Sequence, residues 1–143
     1  MAAAISARLL RVVDALPLHA GMRVLEVGGA PGAAAREVAR RVGPSGHVLV
    51  LDRSAGGIEL TRRSSAAEID AGLLSTLVAP VERFDLPAGV EPFDLAFACR
   101  VGVLDGRHPE LFDAAIAGLR RALRPGAALY VDTGDPLNRV DLG

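Results

Sequence analysis

Lysine and tryptophan are absent from this 143-residue chain, and aromatic residues make up only 3% of it. A core with so few rings has to be assembled from Ala, Val and Leu, and an apolar share of 50% is enough to do so. Every basic residue is Arg, which beside the abundant Ala reads as a GC-rich coding bias rather than a functional choice. Cys99 is the single cysteine, so an intrachain disulfide is excluded; a reducing compartment is consistent with that, and the residue reads as a small apolar one. No apolar run approaches the roughly 18 residues of a membrane span, and the N-terminus shows no basic region leading into a long apolar run and cleavage site. The expected location is cytoplasmic, with no membrane partner. The formal charge of -1 and the scattering of arginines as pairs (Arg40-Arg41, Arg62-Arg63, Arg120-Arg121) leave no basic stripe for nucleic acid. No metal site is expected.

The length suits one domain, burying roughly 70% of the surface its unfolded chain exposes. We divide 1–143 into an N-terminal helix and connection (1–20), a core (21–132) and a turn-like tail (133–143). The core is organised around Arg23-Val24-Leu25-Glu26-Val27-Gly28-Gly29-Ala30-Pro31-Gly32. Val24, Leu25 and Val27 suit a strand covered on both faces, and Gly28, Gly29 and Gly32 permit a tight turn and close approach to a ligand. Ala33 to Val42 has helical spacing, so the unit is strand, glycine-rich turn, helix. In a parallel sheet that turn lies at the carboxyl ends of the strands, where open α/β folds bind ligands.

Ala3 to Leu16 reads as a helix stopped by Pro17 that packs on the sheet or covers the ligand. His19, in the connection that follows, is assigned no role. After the turn Gly43-Pro44-Ser45-Gly46, His47 to Leu51 reads as a second buried strand ending at Asp52. Asp52 follows Gly32 by about 20 residues, the separation at which a strand-tip carboxylate reaches ribose hydroxyls. Ser54 to Ala71 reads as a polar helix, Ser75 to Val81 as a third strand, Pro92 to Cys99 as a fourth and Ala127 to Asp132 as a fifth. Between the last two lies a helix from His108 to Leu123, with Pro109 in its first turn.

Glu26-x-Gly28-x-Ala30-x-Gly32 resembles the first motif of the class I S-adenosyl-L-methionine-dependent methyltransferases, acidic-x-Gly-x-Gly-x-Gly, with Ala30 at the second glycine. Phe93-Asp94 resembles the family's approach to its fourth strand, and Arg121-Ala122-Leu123-Arg124-Pro125-Gly126 resembles the boundary before its fifth. The resemblance covers about Gly21 to Asp132. It implies a Rossmann-like doubly wound α/β fold, a mainly parallel sheet of order 3-2-1-4-5 with helices on both faces, and S-adenosyl-L-methionine as cofactor. Glu26, Gly28, Gly29, Ala30 and Gly32 would lie at the methionine part, Asp52 at the ribose, and Arg53, Val81, Glu82 and Ala98 elsewhere in the cofactor site. Pro80 stands where the family has an adenine-binding Asp, so the adenine would be held by the backbone of Val81 or by Glu82, or held less tightly.

The family's last two strands have no counterpart in this reading. The fifth strand is therefore expected as an uncovered edge unless the tail or another subunit protects it, and a homodimer through that edge is one such arrangement. The implied activity is methyl transfer to a small molecule, with no catalytic residue assigned; Arg100, Asp105 and His108 are candidates by location after the fourth strand. One alternative is a non-catalytic S-adenosylmethionine-binding or partner-subunit domain. The other is an NAD-binding oxidoreductase, in which Gly28, Ala30 and Ala33 would serve as Gly-x-Gly-x-x-Gly despite Pro31 in the turn.

Overall fold

The computed structural model describes residues 4–143. The first helix, α1 (Ala7–Ala15), starts later than the periodicity suggests because Ser6 caps it, its hydroxyl accepting from the Leu9 N–H at 3.2 Å. Ala3, where the sequence reading began the helix, lies outside the described residues. The strands are β1 (Arg23–Val27), β2 (His47–Asp52), β3 (Leu74–Val78), β4 (Leu95–Ala98), β5 (Ala128–Val131) and β6 (Asn138–Asp141). They form one sheet of order β3-β2-β1-β4-β5-β6, parallel throughout except for β6, which runs antiparallel to β5.

Alternation along the strands sends side chains to two apolar layers. Leu25, Val27, Leu49, Leu51, Ala96 and Leu129 face Phe84, Phe93 and the helix α5 (Phe112–Ala122). Val24, Val48, Val50 and Phe97 face α1, the helix α2 (Ala33–Val42) and Ile58 of α3 (Ala55–Ser64). Helices therefore cover both faces, as the doubly wound reading requires. Glu26, two residues after Val24 and paired with Phe97 in the β1–β4 register, must point into the second layer.

Several boundaries differ from the periodicity. Ser54 to Ala71 is two helices, α3 and α4 (Ala66–Asp70), broken at Ser65, whose buried hydroxyl accepts from Arg36 at 3.1 Å. β3 stops at Val78, ahead of Pro80, which has no N–H for a ladder; Val81 and Glu82 therefore belong to a loop. β4 begins only at Leu95, because Phe93 and Asp94 anchor its approach instead: Asp94 accepts the Arg23 N–H at 2.8 Å and pairs with Arg124 at 3.3 Å. A 3₁₀ turn at Pro109–Leu111 precedes α5.

The tail corrects a larger expectation. Residues 138–141 are not turn-like but form β6, with Tyr130 opposite Arg139 and Leu129 opposite Val140. Leu142 is buried beside it, and its carbonyl accepts from Arg120 of α5. β5 is consequently not an exposed edge, and the homodimer expected through it has no open ladder there to use. Among the described residues no helix is long and apolar enough to cross a membrane.

Candidate cofactor site

The turn after β1 is built by short backbone bonds that only glycine tolerates at its closest points. Gly28 has φ 69° and donates to the Leu51 carbonyl at 2.6 Å, joining the ends of β1 and β2. Gly32, at φ 100°, donates to the Gly29 carbonyl at 2.7 Å and caps α2. A Cβ on Gly29 would fall 2.6 Å from the Glu26 carboxyl, so the turn lies directly on that side chain.

Glu26 is 3% exposed, and its Oε1 has no hydrogen-bond partner. Burial, and secondarily the charge of Asp52, push its carboxyl up to about 8, so the acid is mostly protonated at neutral pH. It lines a cavity of about 230 Å³ together with Gly28, Gly29, Ala30, Arg8 of α1 and Cys99. An orphaned buried carboxyl is costly to fold around, and a cationic ligand in this cavity would supply its missing partner. Arg8, loosely paired with Asp132 at 3.8 Å, places a cation in the same cavity. An acid at the base and a cation on the wall match an ammonium and a carboxylate, the two charges of an amino acid. Cys99 is half-buried, and burial, followed by the charges of Glu26 and Asp132, pushes its thiol up to about 12; it is an unreactive wall residue.

Asp52 holds the other side of the turn. Its Oδ2 accepts from the Ala30 N–H at 3.1 Å and its Oδ1 from the Ser54 N–H at 2.9 Å. Ser54, not Asp52, caps α3 by accepting from Gly57 at 2.9 Å. Each Asp52 oxygen retains acceptor capacity, and the side chain lines a second cavity of about 340 Å³. Arg53, Pro80, Val81 and Glu82 line this cavity on the β2–β3 side, and Arg100, Gly102 and His108 on the β4 side. Gly28 and Arg100 border both cavities, which places the two spaces end to end across the glycine turn. Val101 sits above that crossing, its Cγ2 2.7 Å from where a Gly28 Cβ would stand.

The structure thus brings nearly all the expected cofactor residues to these two spaces. Glu26, Gly28, Gly29 and Ala30 border the smaller, and Asp52, Arg53, Val81 and Glu82 the larger. Gly32 shapes the turn without bordering either cavity. Ala98 departs from the reading: it is wholly buried in the sheet between Val27 and Val131, and its carbonyl accepts from the Asp132 N–H at 3.2 Å. Cys99 and Arg100, the next two residues, reach the cavities instead. Of the loop candidates, Arg100 and His108 border the larger cavity, whereas Asp105 is engaged by Arg107 at 2.9 Å, which holds its carboxyl below the usual carboxylate range. Arg8 was not foreseen, because only folding carries α1 to the end of β1.

A parallel sheet with a glycine turn, a buried strand-end acid and a second acid at the neighbouring strand tip defines a Rossmann-like nucleoside-binding protein. The sequence profile described as "Methyltransferase domain" matches residues 24–126, and the chain belongs to that family. It is 37% identical over 113 residues to the ubiquinone/menaquinone biosynthesis C-methyltransferase UbiE of Bordetella parapertussis, an alignment covering 78% of this chain and 40% of the relative. The chain therefore spans about two fifths of the length of the curated relatives it matches. Among solved structures, a SAM-dependent methyltransferase from Aquifex aeolicus superposes with a TM-score of 0.68 at 21% identity, covering 86% of this chain and 62% of that one. A SAM-dependent methyltransferase from Thiobacillus denitrificans, solved in complex with S-adenosyl-L-homocysteine, gives 0.66 at 22% identity over 90% of this chain and 48% of that one. The fold is the Rossmann-like methyltransferase fold, with β6 added antiparallel beside β5.

Proposed function

We propose that the chain binds S-adenosylmethionine across the Gly28–Gly32 turn and transfers its methyl group to a small-molecule acceptor. The observation that carries this reading is the buried, unpartnered Glu26 carboxyl opening on a cavity of amino-acid polarity, next to a larger cavity edged by Asp52. Glu26 would receive the ammonium of the methionine part and Arg8 its carboxylate. Asp52, fixed by two backbone N–H groups, would accept from the ribose hydroxyls. Pro80 and Val81 would give the adenine an apolar wall, with Glu82 as the polar group at its edge.

The cofactor brings a methyl group already activated on a sulfonium, so no protein nucleophile is required. What the chain supplies is position: two rigid turns fix the ends of the cofactor, and holding both reactants in near-attack geometry can lower the barrier by several kcal/mol. The arginine and histidine of the loop after β4 face the acceptor side, and no base is assigned. A small-molecule acceptor is supported by the curated relatives, named for ubiquinone/menaquinone biosynthesis. The NAD-binding alternative would set a diphosphate against the turn that rests on Glu26 and bring no positive charge to the unpartnered carboxyl.

Calorimetric titration with S-adenosylmethionine, S-adenosylhomocysteine and NAD tests the reading. Micromolar binding of the first two alone is expected. Binding of NAD alone, or of none of the three by a folded sample, would overturn it.

A further inference from the structure

Arg100 is the only non-glycine residue among those described whose backbone is left-handed, at φ 56°. L-residues with side chains avoid that region and hold it only where neighbours over-determine it. Here they do. The Arg100 N–H donates to Asp132 Oδ2 at 3.0 Å, and its carbonyl accepts from Arg107 at 3.0 Å. Arg107 is itself held by Asp105, whose two oxygens lie 3.0 Å from its Nε. The strained residue is thus fixed at its N–H and its carbonyl, while its guanidinium forms no hydrogen bond or ion pair among the described residues and borders both cavities.

Its place at the junction of the two cavities distinguishes it from the other cations there. On the β4 side of the larger cavity Arg107 is matched by Asp105, and His108 lies 3.5 Å from Glu110. Arg53, on the other side with the acids Asp52 and Glu82, likewise forms no side-chain hydrogen bond or ion pair among the described residues, but it borders only the larger cavity. In the smaller cavity Arg8 already supplies a cation opposite Glu26. A sulfonium near the junction would be repelled by an unmatched guanidinium, and the repulsion is relieved if an anion lies between them.

We propose that Arg100 binds the methyl acceptor through a carboxylate or phosphate group, so that the acceptors of this chain are anionic small molecules. The inference rests on the cofactor reading above. A guanidinium forms paired hydrogen bonds to either group, and the held backbone starts this exposed side chain from the junction of the two cavities.

The test begins with an S-adenosylhomocysteine titration of the full chain, followed by titration of the saturated protein with benzoate, phenyl phosphate and benzamide. At least one anion is expected to bind about tenfold or more tighter than benzamide. Arg100→Gln should abolish that preference while S-adenosylhomocysteine affinity stays within about twofold, and Arg100→Lys, which keeps the charge but not the paired geometry, should restore only part of it. No anion preference in the unaltered chain, or a preference that survives Arg100→Gln, overturns the inference alone. A tenfold or greater loss of S-adenosylhomocysteine affinity in Arg100→Gln also overturns it, because the residue then serves the cofactor carboxylate. No S-adenosylhomocysteine binding by the unaltered chain removes the cofactor reading and this inference with it.

Discussion

Glu26 is a carboxyl that the fold keeps protonated until a cation arrives. Between its unfolded value near 4.5 and its folded value of about 8, the native state holds a proton that the unfolded state releases, so stability falls as pH rises through that window. Glu26→Gln removes the titration. Relative to the unaltered chain, the variant should gain about 1 kcal/mol per pH unit between pH 5 and 8, measurable by urea unfolding at several pH values. Ligand binding should show the opposite face of the same linkage. An ammonium needs the ionised acid, so S-adenosylmethionine affinity should rise about tenfold from pH 6 to 7. It should flatten near 8, where an α-amino group also loses its proton. In Glu26→Gln that rise should vanish. Asp52 acts differently, as a preorganised acceptor. Asp52→Ala should lower S-adenosylmethionine affinity roughly ten- to hundredfold, corresponding to about 1.5–3 kcal/mol of charge-assisted hydrogen bonding. Calorimetry that finds the affinity unchanged would take Asp52 out of the site.

At the scale of elements, β6 exists because β5 offers it a ladder and α5 offers it an apolar seat. Its residues Asn138-Arg139-Val140-Asp141 are largely polar, and only Val140 packs toward the core. The segment is held by Leu142, which is buried among the α5-side residues. Leu142→Ala should cost about 2–3 kcal/mol in urea unfolding, since removing those methyl groups leaves a cavity against α5. An effect below about 0.5 kcal/mol would mean that the tail is not seated as described. The break between α3 and α4 has a similar origin: Arg36 of α2 gathers the Ser64 and Ser65 hydroxyls at 3.0 and 3.1 Å, a demand made by a neighbouring helix.

For the whole molecule, the two cavities proposed to hold the cofactor are lined from β1, β2, the loop after β4 and α1, so a ligand there would tie together elements distant in the chain. A ligand that binds only the folded state stabilises it by about 2.7 kcal/mol at one hundred times its dissociation constant. For a domain of this size, S-adenosylhomocysteine at that excess should raise Tm by about 8 °C. Thermal unfolding followed by circular dichroism measures it, and an unchanged Tm would argue against binding of this ligand by the folded chain.

The order of strands, the glycine turn and the two acids were legible in the sequence because each is local. Alternation and run length mark a buried strand, glycines mark the turn, and Glu26 and Asp52 are strand-end residues whose places follow from the strands themselves. Pro80 reads in the sequence as a departure in the third strand, though not as the reason that β3 ends before it. Tertiary structure alone decided the rest. It brought Arg8 into the Glu26 cavity, moved the cavity border from Ala98 to Cys99 and Arg100, gave Arg100 its left-handed backbone, and turned the polar tail into β6. Each depends on a partner far along the chain: Asp132 for the Arg100 N–H, β5 for the tail, the end of β1 for Arg8. Periodicity and local motifs record what a segment prefers, whereas such contacts exist only once the sheet has set its neighbours side by side.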